Sequence, residues 1–85
     1  MRTVYKYPIH SIVSIINMFE VHKIVHCDFQ DECLCLWVEV DTDSPQKDYR
    51  FCLYGTGHEI PDAYKHAHTY LSGSYVWHLY YKELE

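Results

Sequence analysis

Four cysteines and seven histidines are the residues of this chain with the widest chemistry. Cys33 and Cys35 stand one residue apart, with His26 and Cys27 a few positions upstream. Structural zinc wants four converging thiolate or imidazole ligands, usually supplied by closely spaced pairs. A lone C-x-C with no second pair lacks that pattern, so no metal is expected, and Cys27 and Cys52 read as small core hydrophobes. His66-Ala67-His68 puts two imidazoles on one strand face, with His58 a third ligand if its loop folds back. Hydrogen-bonded surface histidines are the simpler reading.

Gly55-Thr56-Gly57-His58 is the one stretch suited to a small anion. Two glycines let backbone N–H groups approach a phosphate, and Thr56 and His58 add side-chain donors. No long helix follows to complete a dinucleotide fingerprint, so a tight β-turn competes with the anion site. Nucleophilic catalysis has no constellation: Ser11, Ser14, Ser44, Ser72 and Ser74 all lie outside a G-x-S-x-G elbow. The chain therefore reads as a non-enzyme without a cofactor.

Binding is the remaining chemistry. Seven Lys/Arg against twelve Asp/Glu give a net charge of −5, which disfavours nucleic acid as a direct partner, because phosphate binding depends on cationic side chains. An acidic surface instead suits a partner protein with a basic patch. The acids best placed in loops are Asp28, Asp31 and Glu32 on one side and Asp41, Asp43 and Asp48 on another. Tyr54 and Tyr80 are the aromatic anchors nearest such a surface. On the last strand Tyr75, Trp77, Leu79 and Tyr81 share one face, and Val76, His78 and Tyr80 the other. That second face reads either as an interface or as one side of a small barrel covered on both faces.

Eighty-five residues make one domain with a single modest core, and the nine Tyr and other rings must supply much of its burial. Trp37, Trp77, Phe29 and Phe51 are the expected anchors. Arg2 to Ile9 alternates as a strand. Ser11 to Val25 fits a helix or two short strands turning near Glu20, and its many β-branched residues favour strands. Gln30-Asp31-Glu32 reads as a hairpin loop. Cys33 to Val40 reads as a central strand, with Leu34, Leu36, Val38 and Val40 on one side. Asp41 to Asp48, with Ser44-Pro45, reads as a loop. Tyr49 to Tyr54 is the next strand, and Asp62 could begin one helical turn. His68 to Leu71 and Tyr75 to Lys82 flank the hairpin signal Ser72-Gly73-Ser74. The sum is an all-β domain, a small antiparallel β-sandwich or open barrel of six to seven strands with at most one short helix. The N-terminus lacks an apolar signal region and no apolar run approaches the ~20 residues of a membrane span, so a reducing cytoplasm with free thiols is expected.

Val4-Tyr5-Lys6-Tyr7-Pro8, Lys23-Ile24-Val25-His26, Cys35-Leu36-Trp37-Val38 with Val40-Asp41, Leu53-Tyr54-Gly55-Thr56-Gly57-His58 and Val76-Trp77-His78-Leu79 follow one another along the chain. In this order and spacing they resemble a family of small uncharacterised bacteriophage proteins. The chain departs from that pattern at Phe19-Glu20-Val21, where similar proteins carry a Pro/Gly turn. The resemblance implies an accessory protein made in an infected bacterial cell, with no activity attached. Small acidic phage proteins often act by adhering to a host machine, CRISPR effectors and other defence proteins included. The expected function is accordingly an inhibitor that occludes a host defence protein. The rivals are a sponge for an immune nucleotide signal at Gly55-Thr56-Gly57-His58, and a phage structural component assembling through sheet edges as a homo-oligomer.

Overall fold

Alternating apolar and polar residues build five strands: β1 (Arg2–Ile9), β2 (Val13–Gln30), β3 (Cys33–Gly55), β4 (Lys65–Ser72) and β5 (Tyr75–Glu83). They form one antiparallel sheet that curls into an open half-barrel, in a computed structural model that describes residues 1–84. The all-β expectation holds. Among the described residues there is no helix, and so none long and apolar enough to cross a membrane.

The long strand β3 organises the sheet. β2 follows one edge of it from Gln30 opposite Cys33 to Val13 opposite Cys52. The other edge is shared in sequence. β1 takes Leu34 to Asp41, β5 takes Tyr49 to Gly55, and β4 lies outside β5. Five strands therefore replace the six or seven expected, and the reason is a corner. Phe19 faces Gln46 while the next residue, Glu20, faces Asp41, so residues 42–45 leave the ladder. Asp41 to Asp48 is thus no loop between strands but a bend within β3, and the expected turn near Glu20 is the matching bend in β2. The proline of Ser44-Pro45 is tolerated there because it owes the ladder no hydrogen bond.

The corner also switches the inward-facing parity. Leu34, Leu36, Val38 and Val40 face the core before it, and Tyr49 and Phe51 after it. Leu36, Val38, Val40, Phe51 and Leu79 are wholly shielded from solvent, and Tyr81 stacks on Phe51 with ring centroids 5.4 Å apart. Phe51 is the anchor the sequence indicated. Trp37 is not: it pairs with Lys6 and His26 on the outer face, half-buried against the His26 ring. Phe29 is half exposed and Trp77 half-buried.

Two-residue turns close both hairpins. Asp31 and Glu32 have φ of 52° and 65°, the left-handed pair that a type I′ turn demands and that usually goes to Asn-Gly. Between Ser72 and Tyr75, Gly73 alone has positive φ, at 60°, as a type II′ turn requires. No helical turn starts at Asp62. Pro61 to Tyr64 closes instead as an isolated turn through the Tyr64 N–H donating to the Pro61 carbonyl.

Candidate functional site

The six loop acids fall at two ends of the molecule. Asp31 and Glu32 form the tip of the β2–β3 hairpin, whereas Asp28 lies within β2, opposite Cys35. Asp41 and Asp48 belong to β3, and Asp43 sits in the corner. Ten residues of strand separate Asp31 from Asp41, roughly 33 Å at the usual rise. One partner patch cannot centre on both groups.

Electrostatics separates them further. The Met1 ammonium pairs with both Asp41 and Asp43. The Asp43 N–H donates to Asp41 Oδ1 at 3.0 Å, and this bond together with the ammonium holds the Asp41 carboxyl below its ordinary range. Asp48 accepts from Asn17 Nδ2 at 3.0 Å. At the other end, Asp28 accepts from the Phe29 N–H at 2.8 Å and has the exposed His26 ring at 3.7 Å. None of Asp28, Asp31 and Glu32 is paired with Lys or Arg among the described residues. The hairpin tip thus gathers three acids with no Lys or Arg partner among the described residues.

Tyr54 and Tyr80 belong elsewhere, on the outer face of β3 and β5. Their rings meet edge to face at 6.0 Å, Tyr64 meets Tyr54 in the same way at 6.1 Å, and His66 meets Tyr80 at 5.2 Å. Lys82 lies 5.4 Å over the Tyr64 ring, and the Cys52 thiol reaches the Tyr64 hydroxyl at 3.7 Å. Tyr64 also bears on Arg50 and favours its charged form. The segment after Gly55 thus folds back over the sheet and leaves Cys52 buried on an otherwise outer face. Tyr54 and Tyr80 are half-buried as the floor of this second cluster. They are not free anchors beside the acids.

Gly55-Thr56-Gly57-His58 is a reverse turn: the His58 N–H donates to the Gly55 carbonyl at 3.1 Å, and Gly57 takes a φ of 90°. The Gly55 N–H donates back to His58 Nδ1 at 3.1 Å. Thr56 Oγ1 bonds His78 Nε2 at 2.9 Å, and the chain continues from His78 Nδ1 to Thr69 Oγ1 at 3.0 Å and from there to His66 Nε2 at 2.8 Å. The Gly55 and His58 N–H groups and the Thr56 hydroxyl are thus already engaged within the protein. A bulge between His66 and His68 sends those two rings to different register positions, opposite Tyr80 and Leu79. Among the described residues no three His, Cys, Asp or Glu side chains converge on a point where a metal could sit.

Beside the acidic tip the half-barrel is open. A cavity of about 480 Å³ lies between its layers, walled by Ile9, Leu34, Leu53, Tyr70 and Phe29 with Glu32 at the rim. Phe29 meets Tyr70 edge to face at 5.4 Å across the gap. Phe29 is 51% exposed and Ile12, also on the rim, 63%; Leu71 and Tyr75 at the neighbouring hairpin are 75% and 70% exposed. Large apolar groups at such exposure, next to unpaired acids, mark an interaction surface more than a random scatter does. Sequence reading missed these residues because Phe29 and Ile12 look like core. The available signal was their position next to turns, where the sheet runs out of cover. A second hollow of about 570 Å³ lies at the corner, where Glu20 and Glu83 face Lys65 and Lys82. Its mixed charge selects no ligand.

Across residues 1–85 the chain matches the family described as "Domain of unknown function (DUF7352)", and it belongs to that family. No curated protein and no solved structure matches it.

Proposed function

We propose that this family member is a small non-catalytic binding protein that occludes a partner's basic surface with the acidic end of its half-barrel. The observation that carries this reading is the pairing of uncompensated Asp28, Asp31 and Glu32 with the exposed apolar mouth around Phe29 and Ile12. Acids at the rim steer encounter and exclude acidic competitors, while apolar groups at the centre slow release. The resemblance to small bacteriophage proteins supplies the setting. The partner is a bacterial host protein in the cytoplasm, and a defence protein with a nucleic-acid-binding groove has the required charge.

The test is to pass bacterial lysate over the immobilised protein and over its Asp31→Lys/Glu32→Lys variant, at low and moderate salt. A host protein retained by the first and lost from the second supports the reading. Retention of a nucleotide, abolished by Thr56→Ala, would favour the signal-sponge reading instead. Self-assembly with no retained host protein would favour a structural role.

A further inference from the structure

Three strands of the sheet, β1, β2 and β4, each pair with one neighbour only. Free edges invite further strands, and proteins usually blunt them with charge, proline or a bulge. β1 is blunted: Arg2, Lys6 and Pro8 punctuate it. β2 is blunted from Glu20 to Asp28 by charged residues and three register shifts, and its uncharged start, Val13 to Phe19, walls no part of the cavity beside the acidic tip. The first half of β4 is blunted too, by Lys65 and the bulge between His66 and His68. The second half, His68 to Ser72, has none of these devices. It reads His-Thr-Tyr-Leu-Ser in unbroken register and contains no Lys, Arg, Asp, Glu, Pro or Gly. Tyr70, at its centre, is a wall of the open cavity, and Glu32 stands on the same rim.

We infer that the mouth receives an extended segment of its protein partner as an added strand on His68–Ser72, with an apolar side chain in the cavity and a lysine or arginine against Glu32. The inference rests on reading the acidic mouth as the binding surface and names how that surface is used. Strand addition obtains affinity from main-chain hydrogen bonds and specificity from alternate side chains. Here a cavity of about 480 Å³ offers room for the apolar side chain. Charge complementarity chooses the occupant, because Asp28, Asp31 and Glu32 have no Lys or Arg partner among the described residues.

The experiment uses the full chain and a displayed library of short random peptides, followed by amide hydrogen exchange on the complex with the tightest one. The expected peptides carry apolar residues at every second position and Lys or Arg at one end. They should slow exchange at alternate amides of His68–Ser72 while leaving β1 unchanged. Glu32→Lys exchanges one non-glycine residue for another at the same φ, so the turn survives, and it should weaken binding about tenfold, the equivalent of one lost charge-assisted contact. Enriched peptides with helical spacing, or with protection away from β4, would overturn the inference, as would an empty selection. Binding that is lost in Glu32→Lys but leaves His68–Ser72 exchange unchanged would overturn the added strand and leave the binding surface standing. An empty selection combined with charge-independent lysate capture would overturn both.

Discussion

Individual side chains divide into those that hold the half-barrel together and those left over for contact. Phe51 is fully enclosed and stacked on Tyr81, so Phe51→Ala should cost about 3–5 kcal/mol in urea unfolding, near the whole stability of a small domain. Trp37→Ala should cost less, about 1–2 kcal/mol, because Trp37 lies half-buried on the outer face. Equal costs for the two would contradict the assignment of faces. Cys27 gives a pH test. Burial pushes its thiol up to about 11 from an ordinary 9.0. The unfolded chain therefore ionises first, so this group leaves stability unchanged below about pH 9 and lowers it as pH climbs from there to about 11. Cys27→Ser should flatten that alkaline loss. Glu32 occupies a left-handed conformation that suits glycine, and Glu32→Gly should raise stability by about 1 kcal/mol in the same assay.

The strands explain which expectations were legible and which were not. Strict alternation over Cys33 to Val40 and Tyr49 to Tyr54 located both halves of β3, and the polar stretch between them located its corner. The sequence could not say that the chain continues through the corner as one strand, because that depends on β2 bending at the matching place. In β2 the inward residues Val21, Ile24 and Cys27 face Val40, Val38 and Leu36, three residues on one strand against two on the other. Such bulges space inward residues by three, which imitates one face of a helix and explains the ambiguity of Ser11 to Val25. The sequence divided the acids between two sides by position along the chain, and the topology adds that those sides are opposite ends of the sheet. Tyr54 and Tyr80 looked exposed because nothing in the sequence announces that Tyr64 folds back onto them. That fold-back depends on the turn at Gly57, whose φ of 90° penalises any side chain. Gly57→Ala should cost about 1–2 kcal/mol and speed hydrogen exchange at Tyr54 and Tyr80 while sparing β1. Unchanged exchange there would contradict the role given to the turn.

At the scale of the whole molecule, a half-barrel of 41 × 31 × 17 Å encloses one core, closed at the corner and open at the hairpin tip. A closed barrel would have no free edge, so the opening is where the fold leaves room for another chain. The charge of −5 is spread unevenly in effect, since Asp41 and Asp43 share the Met1 ammonium while the tip acids lack Lys or Arg partners among the described residues. The central claim is that this acidic, apolar end is the contact surface. It is tested most directly by the association rate of the host protein captured from lysate, measured against the wild-type chain and Asp31→Lys/Glu32→Lys across a salt series. The account predicts that the variant associates more slowly at low salt and that its rate depends less on salt, with the melting temperature little changed. Association rates that coincide at every salt concentration would contradict it.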